Sequence, residues 1–256
     1  MTNPARCAFL DAPTPLAFAH RGGAAYGDEN TLAAFARAVE MGYRYVETDT
    51  HATADGVAVV FHDAILTRML GRDEHVARLR WADLASVRVG GQIAVPKLAD
   101  VLDAFRGVRF NIDVKSDVAA APTVAAVTAV GACDRVLLAS FSDARLRRMR
   151  QLAGPGVVTS LATGEAAKLW LASRTGLPTA PPVGAVAAQL PVRHGVRVVD
   201  RRLIGYAHRL GLQVHVWTVD DAAEMADLLD LGVDGIMTDR IDVLRDVYTA
   251  RGLWAA

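Results

Sequence analysis

The chain has 256 residues, 52% of them hydrophobic, and its 28 basic side chains balance 28 acidic ones. A chain of this length and apolar content can bury one large core, as a single β/α barrel domain does. The zero net charge and the absence of any run of like charges argue against nucleic acid as a partner, since nucleic acid attracts proteins by long-range electrostatics. Any phosphate must therefore be bound by a local site.

The first residues, Met1 to Leu10, lack a basic start followed by an apolar run, and no stretch of about 18 apolar residues occurs. We therefore expect a soluble cytoplasmic protein without stable membrane insertion. Cys7 and Cys133 are too few and too isolated for a disulfide framework or a zinc site. Nothing in the sequence indicates an oligomeric state.

Short apolar runs alternate with helical patterns from residue 16 onwards, which is typical of βα units around a parallel sheet. The predicted strands are Leu16–His20, Tyr45–Asp49, Val57–Phe61, Phe110–Val114, Val136–Ser140, Val157–Leu161, Ala185–Leu190, Val214–Trp217 and Gly235–Thr238. They number one more than an eight-stranded barrel uses. Because the connection before Val57 is too short for a helical crossover, Val57–Phe61 is expected either as a hairpin arm or as a strand after an extended connection.

Between the predicted strands, apolar residues recur at helical spacing. Asp221 followed by Glu224 resembles a capping box, which predicts the start of a helix. The longest departure from the βα rhythm is the segment 64–108, which contains an apparent helix at Leu98–Phe105. Such a segment on a barrel rim either covers and shapes the site or only pads the loop. The sequence thus predicts one α/β domain over residues 1–256, a TIM-type (β/α)8 barrel with a rim insertion at about 64–108.

Polar residues inside predicted strands are unusual, since both faces of a barrel strand are normally apolar. Four polar clusters lie at the C-terminal ends of predicted strands, at 19–23, 47–49, 61–63 and 111–115. In β/α barrels these strand ends form the catalytic face. The clusters therefore predict one active site on that rim.

Three carboxylates are expected to face the barrel mouth. Because alternate residues of a strand lie on the same face, Asp113 and Lys115 should both point into the barrel. For the same reason Glu47 and Asp49 should share one face of their strand. Such carboxylates repel one another unless a cation neutralises them, and all-oxygen ligation suits Ca²⁺ or Mg²⁺. Each carboxylate could instead pair with a neighbouring Arg, but a divalent metal bound by all three is the simpler prediction.

Two histidines are candidates for acid/base chemistry. His20 and His62 end different predicted strands on the same rim, and two imidazoles flanking a phosphate can supply a general base and a general acid near neutral pH. A lone His is more often a hydrogen-bonded core or surface residue. We expect that structural role for His51 and His215.

Arg21 and Lys115 would supply positive charge for a phosphate, the first by a forked contact and the second as a point charge. Lys115 is notable because the chain contains only two other lysines, Lys97 and Lys168. The alternative for Lys115 is an ordinary ion pair with Asp113 or Glu47.

Several strings together resemble the glycerophosphodiester phosphodiesterase family, within the phospholipase-C-like phosphodiesterase barrels. They are His20-Arg21-Gly22, Glu29-Asn30-Thr31, Glu47-x-Asp49, Thr53-x-Asp55-Gly56, Val59-Val60-Phe61-His62-Asp63, Trp217-Thr218-Val219 and Gly232-Val233-Asp234-Gly235-Ile236-Met237-Thr238-Asp239. Any one string is weak, but their order and spacing from residue 19 to 240 is specific.

The resemblance implies hydrolysis of small-molecule glycerophosphodiesters to glycerol 3-phosphate and an alcohol, usually with calcium or magnesium. The roles it implies are an acid/base pair at His20 and His62, metal ligands at Glu47, Asp49 and Asp113, phosphate contacts at Arg21 and Lys115, and a substrate-pocket wall at Trp217. Asp113 stands where the family commonly has Glu. Because Asp reaches about one methylene less far, water can replace part of this ligand or the metal preference can differ.

Two other functions are compatible with the sequence. A lysophospholipase D or phospholipase C-like enzyme would be favoured by an apolar groove or aromatic ridge on the 64–108 segment, where only Trp81 and Phe105 stand out. A catalytically silent phosphodiester-binding barrel would usually have lost a charged residue of the set, whereas only the Glu-to-Asp change is found. The sequence leaves open which His is the acid, and whether water or a substrate hydroxyl is the nucleophile.

Overall fold

The computed structural model describes residues 7–89 and 91–254. Residues 1–6 and 255–256 of the predicted single domain, and Gly90 of the predicted rim insertion, lie outside the described residues. In chain order the strands are β1 Leu16–His20, β2 Tyr45–Ala52, β3 Ala58–Val60, β4 Arg88–Val89, β5 Gln92–Ile93, β6 Arg109–Val114, β7 Val136–Ala139, β8 Val158–Ser160, β9 Ala185–Pro191, β10 Arg193–His194, β11 Val196–Arg197, β12 Gln213–Trp217 and β13 Gly235–Thr238.

Eight of these strands form a closed parallel barrel. The order around it is β1, β2, β6, β7, β8, β9, β12 and β13, and β1 pairs in parallel with both β2 and β13 to close the ring. This arrangement confirms the predicted TIM-type (β/α)8 barrel.

The extra predicted strand, Val57–Phe61, is a hairpin arm, which is one of the two alternatives that the sequence left open. Its central part, β3, pairs antiparallel with β2, and the Phe61 N–H donates to the Asp49 carbonyl at 3.1 Å. His62 therefore follows a hairpin strand and not a strand of the closed barrel. β2 and β3 extend beyond the rim and return, so His62 arrives beside Asp49 from the opposite direction.

Several helices, α1, α6, α8 and α9, begin at a short polar side chain that caps them. Thr31 accepts from the Ala34 N–H at the start of α1, and Asp221 accepts from the Glu224 N–H at the predicted start of α9. The helices are α1 Leu32–Glu40, α2 Thr67–Leu70, α3 Trp81–Ala85, α4 Leu98–Ala104, α5 Ala120–Ala129, α6 Asp143–Ala153, α7 Thr163–Thr175, α8 Arg201–Arg209, α9 Ala222–Leu231 and α10 Ile241–Ala250. Within the described ranges, none of them is long and apolar enough to cross a membrane.

The rim insertion is shorter than predicted. Its last part, α4, packs against α5 and is the crossover helix between β2 and β6. The earlier part holds α2, α3 and the β4–β5 hairpin around a small core of its own, formed by Val59, Phe61, Leu66, Val76, Leu84, Ala94 and Val95. This separate core fixes the insertion on the rim as a rigid body.

The barrel interior changes character along its axis. At its N-terminal end Phe18 packs against Tyr45, with ring centroids 5.1 Å apart, and Phe9 closes the floor against Tyr45. Two residues further along β1 and β2, the inward positions are His20 and Glu47. The apolar floor therefore supports a polar layer at the C-terminal rim.

Gly235 provides a test of how tightly the floor is packed. A methyl group there would lie 2.9 Å from ring atoms of both Phe18 and His215, whereas one at Gly107 would meet nothing within 4 Å. Overpacking a core costs about 1–3 kcal/mol. We predict that Gly235→Ala lowers the free energy of unfolding by that amount in urea titrations, while Gly107→Ala changes it little. Equal effects of the two substitutions would contradict a tightly packed floor.

Candidate active site

A cavity of about 630 Å³ opens at the C-terminal rim of the barrel. Its wall includes all eight side chains singled out from the sequence, namely His20, Arg21, Glu47, Asp49, His62, Asp113, Lys115 and Trp217. They come from β1, β2, β6, β12 and the loop after β3. The fold therefore brings the predicted site residues into one pocket, while their chemical roles remain predictions.

A sharp turn after β1 sets the position of Arg21. Arg21, Gly22 and Gly23 all have positive φ, at 53°, 81° and 99°, and a methyl group on Gly22 would lie 2.9 Å from Ala34. A left-handed conformation costs an arginine roughly 1–2 kcal/mol. The strained turn directs the Arg21 N–H to Glu47 Oε2 at 3.2 Å and brings its Nε 3.2 Å from Asp49 Oδ2.

Asp49 is the most enclosed carboxylate of the site. Its Oδ2 accepts a hydrogen bond from Asn30 Nδ2 at 2.8 Å, and Asn30 is itself held by Thr48. Burial alone would raise the pKa of Asp49, but the charges of Lys115 and Arg21 outweigh it and lower that pKa. Asp49 is therefore ionised at neutral pH.

Lys115 joins two of the three carboxylates. Its Nζ lies 2.6 Å from Asp113 Oδ2 and 2.8 Å from Asp49 Oδ1. These contacts, with the neighbouring Glu47, raise the pKa of Lys115 despite its burial. In residues 7–89 and 91–254, no three Asp, Glu, His or Cys side chains are grouped so that they could hold one metal ion. Asp49 and Asp113 both contact the Lys115 ammonium.

The donor set nevertheless fits a hard divalent cation. Burial, with Asp49 close by, raises the pKa of Glu47 to about 7, and burial likewise raises the pKa of Asp113. Asp49 Oδ1 is buried and makes no hydrogen bond of good geometry, although Lys115 lies nearby. The pocket therefore contains more negative charge than Lys115 and Arg21 neutralise, and its free oxygens suit Ca²⁺ or Mg²⁺.

His20 is oriented by a partner from the last strand of the barrel. Its Nδ1 lies 2.6 Å from Asp239 Oδ1, and its Nε2 lies 3.6 Å from Glu47 Oε2. Burial alone would lower the pKa of His20, but Glu47 and Asp239 outweigh burial and raise it. The ring is thus held in one orientation and is readily protonated.

His62 is oriented by its own neighbour in the chain. Its Nδ1 lies 2.6 Å from Asp63 Oδ1, so the ring presents its other nitrogen away from that carboxylate. The His62 carbonyl lies 3.1 Å from His51 Nε2, while burial lowers the pKa of His51. His51 therefore supports the loop, as expected for a structural histidine.

Opposite the charged groups, the cavity has an apolar wall. Phe141 follows β7 and packs edge-on against Trp217, with ring centroids 5.6 Å apart. The rest of this wall comes from β8, α7, β9 and the hairpin β10–β11, and its members are Leu161, Ala166, Ala167, Trp170, Leu190, Pro191, Val196 and Val198. No described residue of the segment 64–108 lines the cavity.

Sequence reasoning missed the residues that orient the histidines. Asp63 could have been found because it directly follows His62. Asp239 follows β13 at the catalytic rim, the same signal that identified the other clusters. The α7 part of the apolar wall carried no such signal, because Ala166 and Trp170 at helical spacing read as ordinary core residues.

The barrel and the charged cavity at its C-terminal rim define a phosphoric diester hydrolase of the TIM-barrel class. The sequence matches the model of the glycerophosphoryl diester phosphodiesterase family over residues 20–243, and the chain belongs to that family. Members of the family generally use a divalent metal ion.

Three known proteins illustrate the similarity. The chain is 42% identical to a probable glycerophosphodiester phosphodiesterase 2 of Mycobacterium tuberculosis, over 96% of this chain and 95% of that protein. The fold matches a crystal structure of a putative glycerophosphoryl diester phosphodiesterase from Silicibacter pomeroyi with a TM-score of 0.81, 24% identity and coverage of 98% and 100%. It also matches an Oleispira antarctica phosphodiesterase in complex with the product sn-glycerol-3-phosphate, with a TM-score of 0.74, 21% identity and coverage of 92% and 97%.

The raised pKa of Glu47 predicts a pH dependence of stability in the metal-free protein. Between pH 4.5 and about 7 the folded carboxyl keeps a proton that the unfolded chain has lost. The contribution of Glu47 to the free energy of unfolding is therefore complete below pH 4.5 and falls as pH rises, by about 1.4 kcal/mol per unit at most.

Urea titrations in chelator at pH 5 and pH 8, for wild type and Glu47→Gln, measure this effect. Wild type should lose more stability than the variant over this range. Added Ca²⁺ or Mg²⁺ should restore wild type at pH 8. Parallel losses in the two proteins would rule out Glu47 as the titrating group.

Proposed function

We propose that this protein catalyses metal-dependent hydrolysis of glycerophosphodiesters to glycerol 3-phosphate and an alcohol, with His20 and His62 as the acid/base pair. The observation that carries the proposal is the shared cavity, in which two oriented histidines meet three carboxylates and two cationic side chains. Phosphodiester hydrolysis uses each of these groups: positive charge for the phosphoryl oxygens, and proton transfer at both the nucleophile and the leaving oxygen.

In this proposal the cationic side chains bind the phosphate. Lys115 reaches the cavity as a point charge already fixed by Asp49 and Asp113, so little side-chain entropy is lost when the phosphate binds. Arg21 is fixed by the strained turn and by Glu29, whose Oε1 accepts from its Nη1 at 3.0 Å. Trp217 packs against the organic part of the substrate.

Glu47, Asp49 and Asp113 would hold the divalent metal, either Ca²⁺ or Mg²⁺. When bound, the metal supplies Lewis acidity toward a phosphoryl oxygen and neutralises the carboxylates. Asp113 reaches about one methylene less far than the Glu that the family commonly has at this position, and its Oδ2 contacts Lys115 Nζ at 2.6 Å.

The histidines transfer protons in this mechanism. One takes the proton of the attacking hydroxyl, and the other donates a proton to the departing alkoxide. Asp239 and Asp63 each contact the Nδ1 of one histidine, so Nε2 is the nitrogen free for transfer. At His20 the neighbouring carboxylates Glu47 and Asp239 outweigh burial and raise the pKa of the imidazole.

A product assay tests the proposed reaction. Glycerophosphocholine should yield glycerol 3-phosphate and choline, excess EDTA should abolish turnover, and added Ca²⁺ or Mg²⁺ should restore it. Full activity in EDTA would contradict metal dependence. Release of phosphocholine in place of choline would show that the other ester bond is cleaved.

The roles of the two histidines can be separated by the leaving group. Removing either should cost on the order of a hundredfold to ten-thousandfold in turnover on an alkyl diester. Nitrophenolate needs no protonation, so a nitrophenyl diester should rescue the variant that lacks the acid but not the variant that lacks the base. His20→Ala and His62→Ala are measured on both substrates after thermal melts confirm folding. Turnover within about threefold of wild type would remove that His from the mechanism.

The apolar wall favours a second candidate function, lysophospholipase D activity on a glycerophosphodiester with an acyl chain. Val196, 60% exposed at the cavity mouth, lies on this wall, whereas the equally exposed Val118 does not line the cavity. If an acyl chain lies on the wall, Val196→Asp should reduce turnover of lysophosphatidylcholine more than turnover of glycerophosphocholine. Val118→Asp should affect both alike. Equal effects of Val196→Asp on both substrates would leave glycerophosphodiesters as the substrate class.

A further inference from the structure

Arg68 is a residue that neither the sequence motifs nor the mechanism has used. It lies on α2 of the rim insertion, its side chain is 47% exposed, and it does not line the cavity. Its guanidinium nevertheless contacts two carboxylates that come from different parts of the chain. Nε donates to Asp63 Oδ2 at 2.7 Å, while Nη1 and Nη2 donate to Glu29 at 3.0 and 2.6 Å.

Each of these carboxylates also holds a side chain of the active site. The other oxygen of Asp63 contacts His62 Nδ1 at 2.6 Å. Oε1 of Glu29 also accepts from Arg21 at 3.0 Å. Arg68 therefore connects the proposed acid/base His62 to the proposed phosphate ligand Arg21, through one carboxylate on each side.

Among the basic side chains, only the guanidinium of arginine can make this forked contact. Five N–H groups in a rigid plane can satisfy two carboxylates at once, whereas the lysine ammonium acts as a single point of charge. Without Arg68, Asp63 and Glu29 would each lose a charged partner and become free to rotate. Their own hold on His62 and Arg21 would weaken with them.

The rim insertion explains why Arg68 stays in place. Leu66, two residues before it, is fully buried in the insertion's own core, and its N–H donates to the Glu74 carbonyl at 3.0 Å. Val76 is buried in the same core, and its N–H donates to the Ala64 carbonyl. The insertion thus supports a rigid platform for one long side chain, although none of its described residues reaches the cavity.

We propose that Arg68 is a positioning residue that fixes His62 through Asp63 and Arg21 through Glu29. The inference rests on the proposed function, because it requires His62 to transfer a proton and Arg21 to bind phosphate. A misplacement of about 1 Å in such groups can cost a hundredfold in rate. Loss of Arg68 should therefore lower kcat, because His62 is displaced, and raise KM, because Arg21 is displaced.

Arg72 supplies a matched control in the same segment. It is similarly exposed at 35% and pairs only with Glu74, at 2.6 Å, which contacts no residue of the cavity. Arg68→Met should lower kcat/KM on glycerophosphocholine about tenfold to a hundredfold. Arg72→Met should leave it within twofold of wild type. Both variants should melt close to wild type, because exposed ion pairs add little stability.

Two further variants separate positioning from a general structural effect. Arg68→Lys keeps the charge but cannot reach both carboxylates, so it should recover only part of the activity. In the His62→Ala background, Arg68→Met should lose its effect on kcat and retain only its effect on KM, since the path through Asp63 no longer ends at an imidazole. Full additivity of the two kcat losses would overturn the inference.

The same measurements distinguish failure of the inference from failure of the proposed function. If His62→Ala reduces turnover but Arg68→Met behaves like Arg72→Met, the proposed function stands and the role of Arg68 is wrong. If His62→Ala turns over substrate like wild type, both the acid/base assignment and the role of Arg68 are wrong. If Arg68→Met fails to fold, Arg68→Lys decides, and turnover by Arg68→Lys within twofold of wild type overturns the forked contact.

Discussion

The site depends on how its buried negative charge is balanced. Glu47 and Asp49 on β2 and Asp113 on β6 are nine-tenths or more buried, and burial is the largest single influence on the pKa of each. Lys115 and Arg21 keep Asp49 ionised, whereas burial and the charge of Asp49 raise the pKa of Glu47 to about 7 although His20 and Lys115 lie near it. The metal-free protein therefore keeps a proton on Glu47 below about pH 7, and a further cation would favour its ionised form. Metal binding, phosphate binding and stability are thereby linked at one place.

The fold separates this charged half of the cavity from an apolar half. β1, β2 and β6 supply ionisable groups, whereas α7, β9 and the β10–β11 hairpin supply aliphatic and aromatic ones. A phosphodiester has the same asymmetry when its phosphate is joined to an organic alcohol. In the proposed function the charged half would bind the phosphate, and the apolar half would contact the alcohol.

The sequence predicted the barrel and the inward carboxylates because both follow from local periodicity. Alternation along β2 and β6 is enough to place Glu47, Asp49 and Asp113 on one face, whatever the rest of the chain does. Periodicity also predicted the strand that precedes His62, but it left open the direction in which that strand pairs, because pairing direction depends on the partner strand and not on local alternation. Arg68 could not have been predicted, because its partner Glu29 lies 39 residues away and the contact depends on a helix of four residues.

The contact between His20 and Asp239 joins residues 219 positions apart, at the end of the first strand of the barrel and directly after the last. β1 is also the strand that closes the ring, pairing with β2 on one side and β13 on the other. During synthesis on the ribosome, β1 and β2 emerge long before β13 exists. His20 can therefore acquire its orienting carboxylate only when the last βα unit has docked. In the proposed mechanism, a chain in which that unit has not docked would lack an oriented His20.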